Sequence, residues 1–392
     1  MKRYLTKHII VIAILVLAAV LRLWNLGSVP PSASMDEASI GYNAYSVANI
    51  GVDEYGNFPL ISQQGYDDWR RSTYLFLVAP FVRLFGLRVA SIRLPAAMLS
   101  ILTVLSMYHI ILLLFSTRSE TSTYTARIGA LLLAISPWHI YISRIGHESN
   151  AYLSFFIFGL LFFLQGMKKT GRILLSGFFF ILSIVSYYAG QVLVPVFGLG
   201  LLLIYRKRFL TLLSVDKKIR TSLGVFFVLL IPVFWAVFSP SAIVRFSGTS
   251  TFNPDAHFQE YRAREIRRIE AIRRNDVVGM IRYHRRLFPV EVFMQGYISH
   301  FKPLWLFTNS GNEPFKVPHM GLLYLWEIPF IILGTFILLF RRDVDEKVKK
   351  LIFLWLFLAP LPGAIATQAP HAMRYYTFVA VWQILGAFGL VY

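Results

Sequence analysis

Along this chain the polar positions fall in short breaks between long apolar runs, at roughly 8–26, 91–115, 124–142, 150–166, 173–188, 190–205, 221–239, 320–340, 351–366 and 375–392. Several of these runs approach or exceed the roughly 20 residues that a helix needs to cross about 30 Å of hydrocarbon. The pattern predicts an all-α polytopic membrane protein, a transmembrane helix bundle of about ten spans with juxtamembrane helices at its outer face. All of 1–392 is read as one domain.

Composition supports that reading: 56% of the 392 residues are hydrophobic and 15% are charged, outside the range of soluble globular chains. The formal charge of +19 raises nucleic acid as a partner, but the lysines and arginines cluster between apolar runs, where lipid head groups are nearer. The lipid bilayer is therefore the expected partner and nucleic acid is not. Cysteine is absent, which excludes disulfides, a thiolate nucleophile and a cysteine metal site.

The N-terminal stretch "MKRYLTKHIIVIAILVLAAVLRLWNLG" starts basic and turns apolar, but Arg22 and Trp24 stand where a signal-peptide cleavage site needs small residues. An uncleaved anchor is expected, its N-terminus cytoplasmic. Alternation of spans then puts the strongly basic loops 167–172, 206–220 and 341–350 on the cytoplasmic side, as the distribution of positive charge requires. The loop at 116–127 shares that side and is more weakly basic. Segments 27–90, 143–149, 240–319 and 367–374 fall outside, and they contain nearly every polar group suited to chemistry.

The stretch 258–288 spaces Ile266, Ile269, Ile272, Val277, Met280 and Ile281 near a helical period among many arginines. It reads as one or two amphipathic helices, either solvated and laced with Glu to Arg pairs or lying on lipid phosphate. No alternating strand pattern stands out. The run that ends at Tyr392 has no basic flank, so the natural chain is expected to continue.

Residues 32–46, "SASMDEASIGYNAYS", place Asp36 and Glu37 side by side near the end of the first span. Ser34 and Glu37 fit the Ser-x-x-Glu capping box, which predicts a helix from there to about Gly51 and gives Glu37 a local task. Asp36 is not needed by the box. In the first turn the helix dipole favours its carboxylate, so it is either a proton acceptor or an ordinary first-turn acid.

That Asp-Glu pair behind an uncleaved span, followed by "FGLRVASIRLPAAMLSILTVL", resembles the GT-C superfamily of polyprenyl-phosphate-sugar glycosyltransferases. The resemblance is to glycosyltransferase family 39 and its relatives, the branch of the protein O-mannosyltransferases and the aminoarabinose lipid A transferases. It is extended by "DEYGNFPL" (53–60), "AISPWHIYISRIGHESN" (134–150), "HMGLLYLWEIPF" (319–330) and "PHAMRYY" (370–376), and covers nearly all of 1–392.

The resemblance implies an inverting transfer of a sugar from a polyprenyl-phosphate donor to an acceptor hydroxyl on protein, lipid or glycan. The reaction would run at the extracytoplasmic face of a multi-pass plasma (inner) membrane protein, between 27–90, which carries the catalytic helix, and 240–319. In this chain the base would be Asp36, with Glu148 and Glu37 as supporting carboxylates. Relatives carry a basic residue in a Lys-Pro-Pro-like segment; here the text is Arg70-Arg71-Ser72, which makes Arg70 the donor-phosphate ligand. Arg93, Arg374 and His371 are further candidates for phosphate, and Tyr42, His147 and His319 are expected to line the cavity. Each has a plainer reading: Arg93 snorkelling to head groups, Glu148 a solvated cap, His319 an interfacial histidine. No cofactor is certain. Carboxylates and phosphate are also donors that share a divalent metal, but no ligand set is legible. A transporter or flippase for an anionic lipid-linked substrate is the competing class, and a non-catalytic scaffold a third.

Overall fold

The computed structural model describes residues 2–66, 68–115, 120–308 and 315–392; parts of the loops at 116–127 and 240–319, and Asp67, lie outside the described residues. Helix α1 (Lys2–Leu23) leads to α2 (Met35–Ile50), a hairpin of β1 (Ser62–Gly65) and β2 (Asp68–Arg71), α3 (Thr73–Phe85) and α4 (Val89–Leu114). Next come α5 (Glu120–Ile135), α6 (Pro137–Ser143), α7 (Glu148–Gly166), α8 (Arg172–Ser186), α9 (Tyr188–Ile204), α10 (Arg206–Val215) and α11 (Lys217–Val237). The segment 240–308 folds as α12 (Pro240–Thr249), a 3-10 turn, α13 (Phe258–Arg273), α14 (Val277–Arg282), α15 (Phe288–Ser299) and α16 (Pro303–Phe307). Helices α17 (Glu327–Phe340), α18 (Glu346–Leu358), α19 (Leu361–Ile365) and α20 (Phe378–Val391) complete the bundle.

The protein is a helical membrane protein, and the predicted apolar runs fall mainly on helices. Their length gives a smaller count of crossings than the expected ten or so. Among the described residues four segments can cross by length and composition, within α4, α7, α11 and α18–α19, and the bent pair α9–α10 makes a fifth. Helices α3, α8, α17 and α20 and residues 9–23 of α1 are apolar but shorter, below the roughly 20 residues of a straight crossing. The sequence reading also missed three elements inside 27–90. Strands β1 and β2 read "SQQG" and "DWRR", too short and polar for alternation, and are defined by antiparallel pairing such as Gln63 with Arg70. Helix α3 buries Tyr74, Leu75, Val78 and Val82, an apolar face too short to register as a span.

Helix α7 is buried along most of its length, so its polar residues need partners inside the bundle. Ser100 donates to Asn150 at 2.9 Å, Asn150 to the Ala96 carbonyl at 2.6 Å, and Thr103 to Ser154 at 2.8 Å. These bonds between α4 and α7 are the kind that holds helices together where no hydrophobic gradient does, and they fix the start of α7 against α4. Loops there are stapled by arginines: Arg144 donates to the carbonyls of Leu21 at 2.8 Å and Trp24 at 2.6 Å.

Candidate active site

Helix α2 starts as the sequence predicts. The Glu37 amide donates to Ser34 Oγ at 3.2 Å, the Ser34 amide donates to Glu37 Oε2 at 2.9 Å, and Gly51 closes the helix in the left-handed region at φ 81°. Glu37 does more than cap. Its Oε1 accepts from Arg93 Nε at 2.6 Å and from the Gly146 amide at 2.8 Å, and its Oε2 accepts from Arg93 Nη2 at 3.0 Å. Burial pushes the Glu37 carboxyl up, but the Arg93 bond, the Gly146 and Ser34 amides and the Arg93 charge outweigh it and hold it below the ordinary range.

Arg93 is thereby corrected as a phosphate ligand. Besides Glu37 it donates to the carbonyls of Leu26 at 3.1 Å, Pro30 at 2.8 Å and Ser32 at 2.7 Å, so every guanidinium N–H is engaged. It is buried and neither touches the cavity nor snorkels. Glu37 is likewise absent from the cavity wall: the pair is a structural knot that joins the first loop, α4 and the turn before α7, and it aims the first turn of α2.

Asp36, one residue away, points the other way into a cavity of about 470 Å³. Its Oδ1 lies 2.5 Å from Arg70 Nη2, and its Oδ2 lies 3.5 Å from His147 Nε2. The hairpin explains Arg70: β2 carries it across from Gln63 and over the first turn of α2. Arg70 is 8% exposed and its Nη1 has no hydrogen-bond partner among the described residues. His147 caps α7, its Nδ1 accepting from the Ser149 amide at 3.0 Å, which leaves the proton on Nε2, toward Asp36.

Glu148 opens α7 beside it. Although buried, its Oε2 has no hydrogen-bond partner among the described residues; His147 Nε2 lies 3.7 Å from it. Arg374 and His371, the further phosphate candidates, also line the cavity. Burial, then the charge of Arg374, push His371 down to about 3, so it stands neutral at ordinary pH. Tyr42 and His319 do not line it: both are exposed, Tyr42 because it sits on the outward side of α2 and His319 in the loop before α17. Of the ten candidate residues, the fold thus gathers Asp36, Arg70, His147, Glu148, His371 and Arg374.

Sequence reasoning missed Arg245 and Tyr188 beside the hairpin. Arg245, on α12, is bonded to Asp68 and to the Trp69 carbonyl, and its guanidinium lies 4.7 Å from the centre of the Tyr188 ring; Arg71 lies 4.5 Å from the same ring. A lone arginine in the apolar text "SAIVRFSGT", just past a span, was the available signal, because such a charge needs a partner.

The donor set does not fit a metal centre. Among the described residues no three histidine or carboxylate side chains are grouped to hold an ion, and Arg70 already supplies positive charge at Asp36. What the cavity does offer is an accessible carboxylate, an oriented imidazole, an unpaired carboxylate oxygen and three guanidinium groups, those of Arg70, Arg245 and Arg374. This set suits proton removal from a hydroxyl beside a bound phosphate.

Residues 73–235 match the family model described as dolichyl-phosphate-mannose-protein mannosyltransferase. That segment contains His147 and Glu148 but not Asp36, Arg70, Arg245 or Arg374. No curated protein matches the sequence. Among solved structures, the archaeal oligosaccharyltransferase AglB from Archaeoglobus fulgidus, in complex with an inhibitory peptide and a dolichol-phosphate, is similar with a TM-score of 0.58 at 14% identity, over 99% of this chain and 50% of that one. ArnT from Cupriavidus metallidurans, bound to undecaprenyl phosphate, gives a TM-score of 0.53 at 12% identity, over 99% of this chain and 60% of that one. The chain spans about half the length of the first of these and somewhat more of the second. Almost its whole length thus takes the fold of these two structures, and the segment that matches the mannosyltransferase family model runs from α3 into α11.

Proposed function

We propose that this protein transfers a sugar from a polyprenyl-phosphate donor to an acceptor hydroxyl by a single inverting displacement. The observation that carries the reading is the meeting of Asp36 with Arg70, Arg245 and Arg374 around one cavity of a GT-C fold. The acceptor oxygen attacks the anomeric carbon and its proton passes to Asp36. The bond from that carbon to the phosphate oxygen breaks, and the electron pair leaves with the phosphate. The guanidinium groups stabilise the charge that gathers there. His147 holds the second oxygen of Asp36, and Glu148 accepts a hydroxyl of sugar or acceptor. The negative charge of an arriving phosphate competes with Asp36 for Arg70, whose Nη1 is free to meet it, and so releases the base.

The similar solved structures, one bound to dolichol-phosphate and one to undecaprenyl phosphate, support a lipid-linked donor. The three basic loops at 167–172, 206–220 and 341–350 support a cytoplasmic N-terminus, hence an extracytoplasmic site in a plasma (inner) membrane. A transporter would set its ionisable groups on broken helices near the bilayer midplane; here they gather where loops meet the starts of α2, α7 and α9.

The test is a panel of radiolabelled sugars on polyprenyl phosphate and on polyprenyl pyrophosphate, supplied to membranes containing the chain, with release of each lipid carrier measured. Consumption of a monophosphate donor with an acceptor present is the expected result. Movement of intact donor across the membrane without carrier release would overturn the reading in favour of transport.

A further inference from the structure

Helices α13 and α14 contribute nothing to the cavity wall. Their segment, 258–288, holds nine arginines against four carboxylates. A solvated helix laced with ion pairs would use those carboxylates on its own arginines. Among the described residues two of the nine pair at all: Arg264 with Glu291 at 2.6 Å and Arg268 with Glu265 at 3.7 Å. Asp276 is spent on capping α14, where it accepts from the Gly279 amide at 2.9 Å. The positive charge is therefore left largely unpaired.

The apolar residues of the same segment face outward. Ile266, Ile269 and Ile272 on α13 and Val277, Val278 and Ile281 on α14 are 43–74% exposed. Exposed large apolar residues standing singly need no explanation, but six on two adjoining helices form a patch that does. Between the helices lies a hollow of about 370 Å³, with Arg268, Arg286 and His284 around Ile272, Met280 and Ile281. Cations over an apolar floor complement a phosphate head with acyl chains beneath it. A bilayer is at hand, because the segment lies between α11 and α17, both apolar. Its stem is tied to the far loop: the Thr251 amide donates to the Ile365 carbonyl at 2.8 Å, and the Thr367 amide to the Thr249 carbonyl at 2.8 Å.

We propose that α13 and α14 form a membrane-surface arm, with their isoleucines and valines sunk among the acyl chains and the hollow between them holding the phosphate heads of anionic phospholipids. The arm would fix the height of α12, and with it Arg245, against the bilayer. The inference does not depend on the sugar-transfer reading.

The 392 residues contain no cysteine, so Ile269→Cys in this chain gives a single attachment point for a fluorophore. The labelled protein is placed in nanodiscs of phosphatidylcholine alone or mixed with phosphatidylglycerol, and quenching by nitroxide-bearing lipid is compared with quenching by acrylamide in water. Lipid quenching should dominate in the anionic discs. It should fall by about twofold or more in phosphatidylcholine, or when Arg268→Gln and Arg286→Gln are combined. An unchanged melting temperature of the double variant excludes misfolding as the cause. A label quenched by acrylamide and not by lipid in both discs would show a solvated face and overturn the proposal. Equal lipid quenching with and without anionic lipid or the two arginines would overturn the head-group site. Shielding from both quenchers only after an acceptor protein is added would make the face a protein-docking surface and also overturn it.

Discussion

Asp36 Oδ1 stands 2.5 Å from Arg70 Nη2, so the carboxylate placed to accept a proton and the guanidinium placed to meet a phosphate hold one another. A base closed in this way acts only once something competes for its partner. The donor's phosphodiester is the natural competitor: it carries one negative charge on two non-bridging oxygens matched to the guanidinium fork, and it gains further charge as the sugar leaves.

Arg70→Ala is therefore expected to lower kcat/KM for the donor by about a hundredfold, the scale of one lost transition-state donor. Arg70→Lys should recover part of this, because it keeps the charge and loses the fork. Initial rates at varied donor concentration measure both. An alanine variant with wild-type kcat/KM would show that Arg70 only neutralises Asp36.

The Glu37–Arg93 knot predicts a stability effect that follows pH. Because the folded carboxyl is held below the ordinary glutamate value of 4.5, the unfolded chain binds more protons between the two values, and stability rises with pH across that window. The contribution is complete above 4.5 and is lost as the pH falls through the folded value. Thermal melts in detergent should show a steep acid limb in wild type and a flatter one in Glu37→Gln. Glu37→Ala, which strands a buried guanidinium, should cost about 3–5 kcal/mol at neutral pH. Identical acid limbs in wild type and the Gln variant would contradict the assignment.

Glu148→Gln keeps the shape of the side chain and removes the charge of an unpaired buried oxygen. If that oxygen accepts a hydroxyl of sugar or acceptor, the loss is a charged hydrogen bond of about 1.5–3 kcal/mol, or roughly ten- to hundredfold in kcat/KM. The melting temperature should hold or rise, since the oxygen has no partner among the described residues to lose. A lowered melting temperature with unchanged kcat/KM would make Glu148 a structural cap.

Helices α17 and α20 cross at glycine. A Cβ on Gly389 would strike the Phe330 carbonyl and one on Gly334 the Leu385 carbonyl, both rigid backbone. Gly389→Val should therefore destabilise the protein by at least about 1–3 kcal/mol, read as a lowered melting temperature. A variant that melts like wild type would mean that the two helices can part without penalty.

The apolar helices, the Ser34–Glu37 box and the place of Asp36 were legible because each rests on residues close in sequence: an apolar run, a four-residue cap, a first turn. Tertiary pairing was not legible. Arg93 looked like a phosphate ligand until the structure set it against Glu37, 56 positions away, and Arg245 went unnoticed because its partner Asp68 is 177 positions distant. The hairpin that brings Arg70 over Asp36 has no apolar alternation to announce it, since its order comes from backbone pairing. Tyr42 and His319 were misplaced for a related reason: chemical suitability does not say which side of a helix or loop faces a cavity.

The most direct test of the account is the rate of sugar transfer by Asp36→Asn against wild type at matched expression, with donor affinity measured alongside. The account predicts that kcat falls by at least about a hundredfold, the usual reach of a positioned base, while donor affinity holds or improves because Arg70 is released. Equal rates in the two forms would contradict it and leave Asp36 as no more than an acid in the first turn of a helix.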